Sequence, residues 1–438
     1  MKRLPDFAKG WFVQNARAWK EYRAARARFS HAGLMLGIAL VASTLLASTA
    51  VAAPSVAGMS NTRLDRLDRV FDAALNQGDL QGAVLVIKRD GQEVLTRAYG
   101  HLDGARVRDM PTNAVFDLST LTQPITAAAA ISWQEQGGWL LSDDLGRHLA
   151  PFARRQASLW DLIRQTDGLA HSIDPLGLKP GRPVRPSQRW QHSLDAAMNM
   201  TADSFVQQIA NQPSVFAPGQ VARPGFSFDL LGLALEASSQ QTLGTFFLRH
   251  LFIPLDMWDT GFNPAAGLET RLVSRDGGSA SVANASPVRD PRDPVIFECG
   301  SACLTGTAGD YSRFASMLLN DGRIGTQQVL SRLSVGMMRR HQLETGVENR
   351  LPALGESRTA VLARQRSGLG LVLMPADIPS PLPVQAGDFG AWSSGGSFFW
   401  VSPSERLVVV MLAVQRHQRN SVRLRQQVIG LIAQSIAD

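Results

Sequence analysis

The sequence predicts a mixed α/β fold of the α+β kind, with one antiparallel sheet flanked by helices and a mostly helical lobe. Three observations predict it. A strong hairpin signal stands early in the folded body, strand-like apolar runs close the chain, and helical periodicity dominates the long stretch between them. Strands at both ends with helices in the middle bury their apolar faces when the two ends share one sheet and the middle forms a second layer.

The elements follow in order. Residues Asn61 to Gln77 carry Leu64, Leu67, Val70, Phe71 and Leu75 at helical spacing, which predicts an amphipathic helix. Gly82 to Lys88 and Glu93 to Tyr99 read as strands flanking Asp90-Gly91, a strong hairpin signal. Val115 to Ile131 reads as a strand or turn that hands the chain to an Ala-rich helix, which runs on to Trp139. Residues 171 to 200 are rich in Pro, Gly and Arg and predict an irregular loop. Helices are expected at Met200–Ala210, Phe226–Ala237, Asp310–Asn320 and Ser331–His341. Strands are expected at Leu369–Met374, Gly395–Val401 and Leu407–Ala413, before a final amphipathic helix over Val422–Ile436.

A net charge of +7 on 438 residues suggests an anionic partner until its location is read. The first 31 residues hold eight Lys and Arg against Asp6 and Glu21, a balance of +6, which leaves +1 for everything else. A body that close to neutral has no broad footprint for phosphate backbones, so nucleic-acid binding is excluded. The basic leader runs into an uncharged apolar stretch, Ala32 to Ala53, ending Ala50-Val51-Ala52. That is the layout of an export signal. The stretch is also long enough to span a bilayer, so an uncleaved anchor with membrane association through residues 32–53 is the rival. In both cases the expectation is residues 1–53 as signal or anchor and residues 54–438 as one domain on the periplasmic side, either free or held at the inner membrane. Within it the sheet lobe is expected over 54–118 and 300–438, and the helical lobe over 119–299. The only cysteines, Cys299 and Cys303, either pair across a bend or sit as two small half-buried residues. Two thiols without a nearby His make a poor metal site, and no metal or cofactor is expected.

Several segments together resemble the serine β-lactamase and penicillin-binding-protein superfamily. Phe116 to Gln123 is similar to its F-x-x-A-S-x-T-K nucleophile motif, with Phe116 and Thr122 on their family positions. Ile253 to Pro264 resembles "P-L-G-M-x-D-T-x-F". Val288 to Pro291 and Gly300 to Thr307 resemble "V-H-D-P" and "G-H-A-G-L-F-S-T", which belong to the esterase-like and D-alanyl-D-alanine carboxypeptidase-like branch. The likeness covers about Asn61 to the C-terminus and implies a β-lactamase/transpeptidase-like fold.

The resemblance also assigns the site, and there the residues depart from the pattern. The nucleophile position is Thr120 and the position of the basic Lys is Gln123, with Ser119 as the alternative hydroxyl. A Gln amide has the length of the missing base but cannot take a proton. For Ser119 and Thr120, helix capping or packing stands as the other reading. The Tyr and Asn of the second motif fall on Arg223 and Gly225. Arg223 is then either a carboxylate binder or a solvated loop arginine. The third motif, a cationic triplet on a strand, becomes Ala391, Trp392 and Ser393, or Ser393, Ser394 and Gly395 after a two-residue slide. The Thr120 and Ser394 amides remain candidates for an oxyanion hole, and Trp392 is expected to fill the vacated pocket. None of the five lysines, Lys2, Lys9, Lys20, Lys88 and Lys179, can occupy a family position. The implied function is a pseudoenzyme whose cleft binds a cell-wall peptide or a partner protein. The alternative is an active esterase or carboxypeptidase using Thr120 or Ser119 with an unrecognised base such as His171 or His192.

Overall fold

The hairpin forms where the sequence sets its turn. Asp90 and Gly91 take φ of 52° and 75°, the left-handed pair that lets a two-residue turn follow the strand twist. The computed structural model describes residues 55–170, 200–264, 267–274, 295–349, 366–374, 382–393, 395–415 and 418–437. The leader, His171, His192, Lys179, the Val288–Pro291 segment and Ser394 lie outside the described residues.

The hairpin strands are β1 (Leu80–Arg89) and β2 (Gln92–Gly100), preceded by helix α1 (Arg66–Asn76). Next come β3 (Phe116–Asp117), a 3-10 turn (Ser119–Leu121), α2 (Thr122–Glu135), α3 (Leu159–Arg164) and α4 (Ala202–Ala210). The middle continues with β4 (Val221–Ala222), α5 (Ser227–Ser239), α6 (Leu243–Phe247), β5 (Thr305–Gly306), α7 (Ala308–Leu319) and α8 (Arg332–Met338). The chain closes with β6 (Glu348–Asn349), β7 (Arg366–Ser367), β8 (Val372–Leu373), β9 (Phe389–Trp392), β10 (Phe398–Ser402), β11 (Leu407–Gln415) and α9 (Gln418–Ser435).

Seven strands form one antiparallel sheet in the order β7-β8-β9-β10-β11-β1-β2. The last strand therefore pairs with the first, Met411 opposite Leu85 and Val409 opposite Ile87. Because side chains alternate along a strand, each strand serves two layers. Ala83, Leu85, Ile87, Val409 and Met411 meet Leu67 and Phe71 of α1 and Leu424, Val428 and Ile432 of α9. Val84, Val86, Val408, Val410 and Leu412 meet the helical lobe. A slip of one residue would exchange the two sets, so burial on both faces holds the register. Each fully buried Leu, Ile or Phe here contributes roughly 1.5–3 kcal/mol.

Helix α2 is buried from Pro124 through Ser132, which explains its lack of a polar face: it is enclosed rather than amphipathic. The Ala127–Ala130 run keeps it thin. Gly300 lets a loop run between α2 and α5: a Cβ at Gly300 would meet Phe228 O of α5 at 2.2 Å, and Thr126 Oγ1 of α2 donates to Gly300 O at 2.6 Å.

Several expected boundaries move, each for a local reason. Helix α2 stops at Glu135 rather than Trp139, because Gly137 turns to φ 76° and Trp139 folds back to donate Nε1–H to Ala130 O. The strand expected over Leu369–Met374 shortens to Val372–Leu373 because Gly370 takes φ 66°. Strand β10 starts at Phe398 rather than Gly395 because Gly396 turns at φ 99°. Cys299 and Cys303 are disulfide-bonded, with Cα atoms 5.3 Å apart. None of the described helices is long and apolar enough to cross a membrane.

Candidate functional site

The site begins with a strained residue. β3 pairs with β5, and Leu118 N donates to Leu304 O at 2.8 Å. Ser119 then turns to φ 49°, a conformation that costs a non-glycine residue on the order of 1–3 kcal/mol. The Asp117 carboxylate holds it by accepting the Ser119 N–H at 2.9 Å. Ser119 itself is buried. The turn delivers Thr120, which is half-buried, to the end of β9.

Thr120 Oγ1 donates to the Trp392 main-chain carbonyl at 3.0 Å. The capping expectation fails here: neither the 3-10 turn nor α2 has a side-chain cap, and the hydroxyl reaches across to the sheet instead. Thr122 and Tyr311 complete the support. Thr122 Oγ1 accepts Leu304 N at 3.3 Å, and the fully buried Tyr311 donates its OH to Leu121 O at 2.8 Å. Gln123, one turn after Thr120, is half-buried, and its side chain makes no hydrogen bond among the described residues. Gly370 backs its main chain closely, since a Cβ there would meet Gln123 O at 3.0 Å.

The structure thus brings Thr120 to β9, with Gln123 one turn further along α2 and backed by Gly370. On β9, Phe389 and Ala391 face the helical lobe, so the position that carries a cation in the resembled pattern presents only a methyl group. Trp392 faces the other way. Its ring packs with the outer layer, 5.6 Å from the Arg425 guanidinium of α9. The expectation that Trp392 fills the vacated pocket is therefore wrong: the strand pleat sends its ring through to the far side, and only its carbonyl reaches Thr120. Ser393 is 2% exposed, and its N–H donates to Ser397 O at 2.8 Å within the turn.

Arg223 and Gly225 sit on the helical lobe. Arg223 N donates to Gln165 O at 3.1 Å; its guanidinium donates to Leu169 O and lies 5.6 Å from the Phe216 ring. Gly225 is buried and leads into α5, whose Ser227 donates to Asp167 Oδ2 at 2.6 Å. These contacts knit the 165–169 loop to α5 and include neither Thr120 nor Trp392.

Sequence reasoning passed over Arg425, which is 3% exposed. Burial lowers its pKa to about 10, and its Nε and Nη1 have no hydrogen-bond partner. A signal was available, since Arg425 shares the apolar stripe of Val428, Ile429 and Ile432 at helical spacing. The carboxyls whose pKa values rise through burial are Glu236 (to about 7), Asp310 (to about 6), Glu298 and Asp388. All four accept main-chain N–H groups, from Leu243, Asp259, Gly244 and Gln385 respectively. Among the described residues no ionisable side chain is hydrogen-bonded to the Thr120 hydroxyl.

Comparison with known proteins agrees with this frame. The Beta-lactamase family model matches residues 67–434. Esterase EstB of Burkholderia gladioli is 27% identical over 323 residues, covering 66% of this chain and 77% of EstB. The D-alanyl-D-alanine-carboxypeptidase/endopeptidase AmpH of Escherichia coli is 24% identical over 338 residues, 72% of this chain and 80% of AmpH. Among solved structures, EstCE1, a hydrolase with promiscuous acyltransferase activity, has a TM-score of 0.67 at 20% identity. It aligns over 85% of this chain and 98% of its own. With the seven-stranded sheet, the buried α2 and a family match over most of its length, this chain belongs to the β-lactamase family.

Proposed function

We propose that this protein offers an esterase-like or D-alanyl-D-alanine carboxypeptidase-like cleft to an acyl ligand, an ester or a cell-wall peptide, and holds that ligand without activated acyl transfer. One observation carries the second half. The Thr120 hydroxyl spends its proton on the Trp392 carbonyl at 3.0 Å, an acceptor with no useful basicity, and the neighbouring base position is Gln123. An alcohol attacks a carbonyl at neutral pH only when a base removes its proton. In triad enzymes, loss of the catalytic unit costs on the order of 10⁶ in kcat. Here base, second-motif Tyr and third-motif cation are all replaced.

A working hydrolase is the second reading, and the comparisons favour it. The relatives with named activities are an esterase and a carboxypeptidase/endopeptidase, and the strained turn before Thr120 keeps the frame in which such chemistry runs. Incubation of the purified protein with a fluorescent penicillin and with p-nitrophenyl acetate, followed by intact mass, separates the two. A stable acyl adduct, or turnover that disappears in Thr120→Ala, rejects the binding-only reading. Binding of muropeptide fragments with no adduct supports it.

The location of the body is part of the same reading. Export through residues 1–53 accords with a disulfide between Cys299 and Cys303, since such bonds persist in oxidising compartments. N-terminal sequencing of protein recovered from the cell envelope distinguishes a cleaved signal from a retained anchor.

A further inference from the structure

The loop between Cys299 and Cys303 lies along the start of α2 and holds it at two points. Thr126 Oγ1 donates to Gly300 O at 2.6 Å, and Thr122 Oγ1 accepts Leu304 N at 3.3 Å. Both threonines are fully buried. They stand four residues apart on the helix, a rise of about 6 Å. The residues that meet them, Gly300 and Leu304, are also four apart, and extended chain of that length reaches about 13–14 Å. The disulfide removes the difference, because it holds the Cα atoms of Cys299 and Cys303 5.3 Å apart. Loop and helix turn are thereby matched in length, and both grips close together.

One end of this loop is anchored and the other reaches the site. At the first end Glu298 accepts Gly244 N–H at 2.6 Å, Ser301 N donates to Asp229 Oδ1 at 2.9 Å, and Gly300 is wedged against Phe228 O. At the other, Leu304 O accepts Leu118 N at 2.8 Å and Thr305 pairs with Asp117. Leu118 and Thr122 flank the Ser119–Leu121 turn, so Leu304 grips both sides of it, one with its C=O and one with its N–H. Gly261 backs Thr305 from the other side through main-chain bonds of 2.8 and 3.0 Å.

We propose that the Cys299–Cys303 disulfide is a redox-set brace that positions Thr120, so that the site is complete only in the oxidised protein. The inference concerns where the Thr120 hydroxyl stands, and it holds whether the cleft binds or hydrolyses. In the dithiol form the loop is free to lengthen, Gly300 and Leu304 no longer grip Thr126 and Thr122 together, and the bracket on the strained Ser119 loosens. Closing the bond oxidises two thiols. The two electrons and two protons pass to an exchanging disulfide such as oxidised glutathione, which leaves as two thiols. Both cysteines are buried, 6% and 2% exposed, so the brace is set as the chain folds and then stays set. In a reducing compartment the site remains unset.

The test is peptide-resolved hydrogen exchange of the full chain. The crosslinked protein is compared with Cys299→Ser/Cys303→Ser and with the natural chain refolded under a reducing phosphine. Residues 116–122 and 304–306 are expected to exchange at least about tenfold faster in both uncrosslinked forms, while β1 and β11 stay within about twofold. Refolding with oxidised glutathione restores the slow rate to the natural chain and not to the serine variant. Thr122→Val/Thr126→Val keeps the crosslink and removes both grips, and is expected to accelerate the same residues. Equal exchange of the turn with and without the crosslink overturns the proposal. Acceleration shared equally by β1 and β11 does so too, since the bond then only stabilises the whole domain, as does slow exchange of the turn in the threonine variant.

Discussion

Replacing Thr120 by Val keeps the shape of the side chain and removes only its hydroxyl, so it tests what that hydroxyl does. The structure gives it one partner, the Trp392 carbonyl at 3.0 Å. Loss of a hydrogen bond of this kind costs about 0.5–1.5 kcal/mol. Thr120 is half-buried, so water can reach the orphaned carbonyl and the cost belongs near the lower end, about 0.5–1 kcal/mol. For a domain of this size that is a fall of roughly 1–3 °C in melting temperature. Hydrolysis of p-nitrophenyl acetate is expected to stay within about twofold of the unsubstituted protein, because a hydroxyl without a base supplies no activated step. Scanning calorimetry reads the first quantity and release of nitrophenolate reads the second. If ester turnover falls by more than about tenfold while the melting temperature moves by only these few degrees, the hydroxyl is a nucleophile after all. The reasoning from Gln123 then fails.

Three other outcomes follow from the same contacts. Ser119→Gly should stabilise the protein by roughly 1 kcal/mol, since glycine takes φ 49° without strain; a lowered denaturation midpoint in urea would contradict this. Glu236 has a folded pKa raised to about 7, first by burial, and Glu298 and Asp310 are raised in the same direction. A carboxyl shifted upward holds extra protons in the folded state. Its contribution is therefore complete below the ordinary carboxyl range and is lost as pH rises through 7. Melting temperature should decline from pH 5 to pH 8, and Glu236→Gln should flatten part of that decline; a rise over the same interval would count against the assignment. Replacing Cys299 and Cys303 together by Ser should cost about 2 kcal/mol, the chain-entropy value for so short a loop. The loss is expected to appear in equilibrium unfolding under non-reducing conditions, and no loss would mean that the loop is held by the Ser301–Asp229 and Gly300–Thr126 contacts alone.

Much of this architecture was readable beforehand because local and global signals agree. The Asp90-Gly91 turn sets the hairpin, the continuous apolar runs of β1 and β11 specify strands buried on both faces, and the Ala127–Ala130 run specifies an enclosed helix. Boundaries were less readable where a glycine adopts positive φ, as at Gly137, Gly370 and Gly396. A sequence window sees a periodic run there but not the turn that ends it. At the candidate site, Thr120 and Gln123 were legible as positions through the resemblance of Phe116–Gln123 to the family motif, and the structure brings the Thr120 hydroxyl to β9. The direction of Trp392 was not legible. One strand residue serves two layers, its carbonyl on one and its ring on the other, and only the register of β9 against β10 decides which. Arg223 was legible as a position but not as a contact, because its main-chain partners on the 165–169 loop lie more than fifty residues away.

The pairing of β11 with β1 has a consequence for how the protein is made. The N-terminal hairpin cannot gain its central neighbour until a strand more than three hundred residues later has been synthesised. Contacts so distant along the chain form slowly, and until they form, Val84, Leu85 and Val86 have nothing on one side to bury them. The central pairing of the sheet is therefore among the last contacts a newly made chain can complete, and a truncation before Leu407 leaves the hairpin without its neighbour.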